Sequence, residues 1–314
     1  HMAKEVMKFT SDVKKNADII SDTAPKDSGL AIMCSCQSET EFYCQSMYEL
    51  NGKKFDYRDL ISKYVELPLM RARLMPEIIS EATDFSDKKV LLTPFITCLE
   101  NDNLHKRILS WVKDGGTWIT GPLTDIRTAA HSKYTESATG ITEKAADVTI
   151  QFTTPAYDPN DPAYVEIGLN YSGASVKAEQ LCFDAIMPGK TAETLMTYEN
   201  ESYFDGYSAV TQTQYGKGKI VVLGCLPAEA ALVALTKNLC AEKNILPVCE
   251  ASRNLSVIER TGKAGTVYAV IETEYKKGLF VCPCKVHDRL SGKDYEEGEN
   301  AEVAPYEVML LEKI

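Results

Sequence analysis

Lys89-Val-Leu-Leu-Thr-Pro94, Asn101-Asp-Asn-Leu-His-Lys-Arg-Ile-Leu-Ser-Trp-Val-Lys-Asp-Gly-Gly116 and Thr117-Trp-Ile-Thr-Gly-Pro122 decide the fold. The first run is apolar and of strand length. In the second, Leu104, Ile108, Trp111 and Val112 fall on one helical face behind a polar Asn-Asp-Asn start. The Gly115-Gly116 pair stops that helix, as glycine past the last turn does. Thr117–Thr120 is the next strand, ended by Gly121-Pro122. Strand, helix and strand in this order require a crossover, and crossovers join parallel strands.

The same alternation extends outward. Gly29–Cys34 reads as a short buried strand and Pro76–Ser80 as another. Glu39–Leu67 reads as helix interrupted at Asn51-Gly52. Gly216-Lys-Gly-Lys-Ile-Val-Val-Leu-Gly224 adds a buried strand, and Pro227–Lys243 a helix with proline at or near its first turn. Between them, Val148–Gln214 carries strands broken by Pro, Asn, Asp and Gly, including Asp158-Pro-Asn-Asp-Pro162, and reads as a β-rich elaboration. The expected fold class is α/β, a flavodoxin-like domain. After Pro247 only strand-like runs remain, at Leu255–Arg260, Thr266–Glu272, Gly278–Val281 and Glu307–Leu311. They predict a small antiparallel β-sandwich. At the other end, Val6, Phe9, Val13 and Ala17 keep helical spacing across Glu5–Ile20. Three parts are expected: a helix or tether over 1–24, the flavodoxin-like domain over 25–246, and the β-domain over 247–314.

Bulk properties narrow the function. The net charge is −11, from 45 acidic against 34 basic side chains, so the summed field repels phosphate backbones and anionic lipid heads. No nucleic-acid or membrane partner is expected, and a cytoplasmic location is. The longest apolar runs, Lys219–Leu226 and Ala228–Leu235, fall short of the roughly 20 residues that span a bilayer. His1-Met2 reads as the remnant of a cleaved tag, so the first native residue is expected to be an engineered boundary. Ten cysteines in 314 residues are too sparse for a disulfide scaffold and are read as reduced thiols. Cys34/Cys36 and Cys282/Cys284 are spaced Cys-x-Cys in strand-like segments, with His287 the nearest histidine. Zinc sites favour Cys-x2-Cys with a second pair, so these are expected to be buried structural thiols. No metal or cofactor is expected.

Two blocks carry a family resemblance. Lys88-Lys-Val-Leu-Leu-Thr-Pro94, Leu104–Val112 and Gly115-Gly-Thr-Trp-Ile-Thr-Gly-Pro-Leu-Thr-Asp125 are similar to the trimerisation domain of family 42 glycoside hydrolases. Gln214-Tyr-Gly-Lys-Gly-Lys-Ile-Val-Val-Leu-Gly224, Val257-Ile-Glu-Arg260, Arg289-Leu-Ser-Gly and Pro305-Tyr-Glu-Val-Met-Leu resemble the end of that domain and the β-domain behind it. The resemblance implies a β-galactosidase in three parts: a catalytic (β/α)8 barrel, a trimer-building domain and a terminal β-domain. Only the latter two match this chain. It is therefore expected to be the non-catalytic oligomerisation and accessory portion, a homotrimer that meets galactoside only through the parent's own barrel.

Catalytic residues are expected to be none. Retaining glycosidases need two carboxylates roughly 5 Å apart, and in this family the acid/base follows an asparagine. Asn-Glu occurs here once, at Asn200-Glu201, in a loop-like stretch with no second carboxylate context. The family's middle domain is also related in fold to class I glutamine amidotransferases, whose nucleophile is a cysteine on a tight elbow. The matching elbow is Thr120-Gly-Pro-Leu-Thr124, without cysteine. Two other readings stay open: a free-standing hydrolase or amidotransferase using Cys98, with His105 and His131 as bases, or another thiol as nucleophile, and a carbohydrate-binding module using exposed aromatics such as Tyr268, Tyr275 or Tyr295. Gly216-Lys-Gly-Lys lacks the order of a phosphate loop and reads as a turn into a strand.

Overall fold

The structure, a computed structural model, describes residues 2–45, 49–50, 53–54, 56–155, 167–179, 181–199 and 202–314. Asn51-Gly52, Asp158–Pro162 and Asn200-Glu201 lie outside the described residues. The chain divides into two compact units, one of Gly29–Pro68 and Pro76–Asn244, the other of His1–Ser28, Leu69–Met75 and Ile245–Ile314.

The larger unit is built on one sheet. Its first four strands are β1 (Leu30–Cys34), β2 (Glu77–Ser80), β3 (Val90–Thr93) and β4 (Thr117–Thr120). Next come β5 (Val148–Pro155), β6 (Gly168–Tyr171), β7 (Ala174–Lys177) and β8 (Cys182–Pro188). β9 (Ala192–Glu199), β10 (Ser208–Tyr215) and β11 (Gly218–Leu223) complete it. Five strands are parallel, in the order β2-β1-β3-β4-β11. From β11 the sheet continues antiparallel through β10, β9, β6 and β7, and β8 branches from β10 to pair with β5. The β-rich elaboration is thus an extension of the parallel sheet.

Burial explains why the parallel strands are the legible ones. Ala31, Met33, Leu91, Trp118, Ile220 and Val222 share a core with Leu104, Ile108 and Val112 of the helix Leu104–Asp114. The alternate positions Leu30, Ile32, Val90, Leu92, Ile119 and Val221 are equally buried, so neither face is wet and the strands read as continuous apolar runs. Trp111 packs at the edge of this core and donates its indole N–H to the Lys88 carbonyl at 2.9 Å. The helix after β11 runs Glu229–Glu242. Pro227 does not open it as expected: it precedes the Ala228 cap and bridges Ala178 instead.

The smaller unit is an antiparallel β-structure. Leu255–Gly262, Gly265–Glu272, Val308–Lys313, Val286–Asp288 and Asp294–Tyr295 form one sheet in that order, with Thr23–Pro25 added beside Leu255–Gly262. Gly278–Val281 pairs with Asn300–Val303, and residues of both sheets share one core of Val257, Val270, Phe280, Val303 and Leu311. The N-terminal segment is two helices, Met2–Lys15 and Ala17–Asp22, and Val6, Phe9 and Val13 are exposed. Arg289 ties this segment in place, reaching Asn16 at 3.2 Å and Asp18 at 3.0 Å.

One buried carboxylate organises two turns of this unit. Glu272, 3% exposed, accepts from Asn254 Nδ2, Glu274 N and Lys276 N on Oε1, and from Tyr275 N and Tyr306 N on Oε2. Burial opposes its ionisation, but these donors prevail and hold the carboxyl down at about 2, as several backbone N–H groups on one carboxylate do.

Candidate functional site

In open parallel sheets, ligand crevices lie beyond the carboxyl ends of the strands where the order reverses. Here that point lies between β1 and β3, and hydroxyls close it. Ser35 N donates to the Tyr57 hydroxyl at 2.9 Å, Ser38 N to Ser35 Oγ at 3.0 Å, and Thr97 N to Ser38 Oγ at 3.0 Å. Glu41, 4% exposed, meets His131 Nδ1 at 2.5 Å on one oxygen.

The open space lies alongside. A cavity of about 450 Å³ is lined by Leu99, Glu100, His105, Asp125, Tyr134, Ser137, Gly140 and Ile141. Its floor follows from the turn after β4. Gly121 adopts φ +83° and Leu123 and Asp125 φ +60° and +62°, and the turn is pinned to the segment after β3 by Phe95 N to Pro122 O, Asp125 N to Ile96 O and Arg127 N to Thr97 O. Residues 121–141 then run without helix or strand, the kind of long irregular connection that usually carries function.

Tyr134 joins two carboxylates in this cavity. Its hydroxyl lies 3.2 Å from Glu100 Oε1, 3.3 Å from Asp125 Oδ1 and 3.1 Å from the Arg127 carbonyl. One phenolic proton cannot serve all three acceptors. Asp125 also accepts from Thr142 N and Oγ1 at 3.0 and 3.1 Å. Burial pushes the Asp125 carboxyl up, against the pull of the Thr142 bonds. Burial, and then the charges of Asp125 and Glu100, push the Tyr134 phenol up. The phenol therefore keeps its proton, and the cavity offers acceptors held in fixed directions.

No activated nucleophile is assembled around Cys98. Burial raises its thiol, and the carboxylates of Glu100 and Glu41 add to the rise despite hydrogen bonds from the Glu100 and Asn101 amides. Reactive thiols need positive surroundings. The ring of His105 is turned to the Leu99 carbonyl at 3.0 Å and that of His131 to Glu41. The elbow Thr120–Thr124 holds no nucleophile at its apex. Thr124 Oγ1 donates to the Thr93 carbonyl and accepts from Gly121 N.

The other sequence candidates separate. Cys34 ends β1, whereas Cys36 begins the helix Cys36–Gln45 and is exposed. Cys282 and Cys284 follow the strand Gly278–Val281. Neither pair shares a strand face, and Cys36 is not the buried thiol expected; the chain turns from strand into helix between Cys34 and Cys36. Burial pushes both Cys34 and Cys282 up to about 11, which disfavours the thiolate a metal needs. Among the described residues no group of three or more His, Cys, Asp or Glu is placed to hold a metal, and no helix is long and apolar enough to cross a membrane. Gly216-Lys217 is the turn between β10 and β11, with Gly216 at φ +63°, and Gly218-Lys219 open β11. Tyr268 and Tyr295 are buried, not exposed as a sugar platform requires, because both face the sandwich core. Tyr275 is exposed. Sequence reasoning missed Glu100, Asp125 and Tyr134 as a group; the unbroken irregular stretch 121–141 was the available signal.

A second acidic group sits deeper. Asp184 on β8, fully enclosed, lines a void of about 20 Å³ with Glu143 and Thr120. Burial pushes its carboxyl up to about 7, despite the bond from Thr153 Oγ1, and the charge of Glu143 adds to the rise. Glu143 is itself satisfied by Ile150 N and Thr139 N. Because the folded value lies above the ordinary 3.8, the stabilising protonated form is fully present below pH 3.8 and lost as pH rises through about 7. Asp184→Asn should remove that slope and stabilise the unit at pH 8 by up to about 4 kcal/mol. Urea unfolding of both proteins at pH 5 and pH 8 measures it, and equal differences at the two pH values would contradict it.

Comparison with known proteins gives this geometry a context. The family model described as the β-galactosidase trimerisation domain matches residues 28–246. β-Galactosidase YesZ of Bacillus subtilis is 28% identical over 260 residues, covering 82% of this chain and 37% of that protein. β-Galactosidase bgaB of Geobacillus kaustophilus is 23% identical over 261 residues, with 80% and 37% covered. The chain thus spans about 37% of the length of these relatives. Among solved structures, a catalytic mutant of a GH42 β-galactosidase from G. stearothermophilus superposes with a TM-score of 0.85 at 20% identity, over 99% of this chain and 43% of that one. A β-galactosidase from Bacillus circulans gives 0.81 at 20%, over 97% and 44%. At that identity the structures establish a shared fold.

Proposed function

Because this chain belongs to the family of β-galactosidase trimerisation domains, we propose that it is the assembly and accessory portion of a β-galactosidase, forming a homotrimer that orders the enzyme's catalytic domains. The match over residues 28–246 carries the reading. Galactoside is then met only through the catalytic domain of the parent, and the described residues supply neither general acid nor nucleophile. The hydrogen-bonded state of Asp125 and the raised thiol of Cys98 support that assignment.

In this reading the assembly domain is 25–246, of flavodoxin-like type. The parallel order β2-β1-β3-β4-β11 supports it, since the first strand of this sheet in chain order lies inside and the second at the edge, as in flavodoxin. Residues 247–314 are the accessory β-domain and 1–24 the tether, with the enzyme working in the cytoplasm. A three-fold ring needs head-to-tail contacts between two different patches of one surface.

The catalytic half of the proposal is tested with a chromogenic β-galactoside. The chain alone should release no chromophore above the uncatalysed rate. Turnover abolished by thiol alkylation would restore Cys98 as a nucleophile, and turnover abolished by Glu100→Gln would make the cavity an active site.

A further inference from the structure

Four tyrosines belong to the smaller unit. Two, Tyr268 and Tyr295, are buried; the others, Tyr275 and Tyr306, are 67% and 70% exposed. Those two come from separate turns, one after Gly265–Glu272 and one before Val308–Lys313, yet their ring centroids lie 4.8 Å apart at 35°. Both stand at positive φ, +57° and +61°, a backbone region that bulky residues rarely occupy. The Glu272 carboxylate holds both, accepting from Tyr275 N at 3.0 Å and Tyr306 N at 2.8 Å. An unusual backbone, fixed by a buried carboxylate, thus stacks two aromatic rings on one another, with their outer faces in solvent.

The rim is charged. Glu274 and Lys276 flank Tyr275, and Glu274 is held by Arg71 at 2.8 Å, Lys276 at 3.2 Å and Arg253 at 3.6 Å. We propose that Tyr275 and Tyr306 form a platform for the apolar C–H face of a pyranose ring, with Glu274, Lys276 and Arg253 reaching its hydroxyls. Carboxylate, ammonium and guanidinium between them supply the acceptors and donors that vicinal hydroxyls need. A tyrosine ring offers a negative face to C–H groups and a hydroxyl at its tip. Since the turns are already fixed, little ordering is left to oppose weak stacking. A second copy of the chain is the poorer occupant. Two tyrosine rings bury about 300–500 Å² at most, against about 800 Å² per partner in a stable interface. The choice of galactose as first probe rests on the family reading above; the platform itself does not.

Calorimetric titration of the full chain tests it, with methyl β-galactopyranoside, a β-linked galacto-oligosaccharide and the matching gluco-sugars as probes. Tyr275→Asn and Tyr306→Asn suit the positive φ, and circular dichroism checks their folding. Saturable binding is expected, weakened about tenfold by either asparagine variant and retained by Tyr275→Phe. Binding of gluco- but not galacto-sugars at the same tyrosines would keep the platform and count against the galactoside reading of the parent. No heat with any sugar, or binding indifferent to both asparagine variants, overturns the proposal. So does a fall in the chain's solution mass on Tyr306→Asn without sugar binding, which would make the pair a contact between copies.

Discussion

Trp118→Ala should destabilise the parallel-sheet unit by about 3–5 kcal/mol, the usual cost of emptying a large aromatic site. Trp118 is 0% exposed and the largest fully buried side chain described. It sits in register between Leu91 and Ile220 on the central strands, where neighbours on both sides limit collapse into the space. Its indole N–H donates to Thr93 Oγ1 at 2.8 Å, so alanine also leaves a buried hydroxyl without that partner. Against the 5–15 kcal/mol that whole domains command, the thermal midpoint should fall by roughly 10 °C. A fall of about 2 °C or less would mean that the site repacks and that the helix Leu104–Asp114 is not seated on this ring.

Gly121→Ala should be as costly for a different reason. A Cβ at Gly121 would stand 2.2 Å from the Leu223 carbonyl oxygen, and φ there is +83°. The oxygen belongs to the end of β11, the strand hydrogen-bonded to β4, so neither side yields without parting the sheet. Gly173 has the same φ of +83° with no atom within 4 Å of a Cβ. Gly173→Ala therefore measures the backbone penalty alone, about 1–2 kcal/mol, and Gly121→Ala should exceed it by at least as much again. Equal midpoints for the two variants would show that the contact with Leu223 relaxes freely.

What the sequence disclosed follows the same physics. β1, β3, β4 and β11 were legible because strands buried on both faces become apolar runs, and glycine and proline mark their ends. The helix after β3 was legible because Leu104, Ile108 and Val112 face one core. Val286–Asp288 and Asn300–Val303 were not, since each is short and half polar. Thr23–Pro25 straddles the expected boundary between tether and domain, and becomes a strand only by pairing with Arg260–Gly262.

The polar sites were less legible than the strands. Asp125 was in plain view in the block that resembles the family, but its partners Tyr134 and Thr142 reach it through a stretch with no periodicity. Tyr275 was singled out with Tyr268 and Tyr295, although alternation along a strand cannot say which face is core. Tyr306 was not singled out at all, because its closeness to Tyr275 depends on two turns meeting at Glu272.

Whether this chain assembles is decided by its mass in solution. Light scattering over about two decades of concentration should give a species near three times 34.8 kDa, dissociating, if at all, only on dilution. A mass of 34.8 kDa throughout would rule the trimer of this chain out: its surface would then lack the two mutually complementary patches that a three-fold ring needs, and its role would have to be sought in the cavity beside Tyr134.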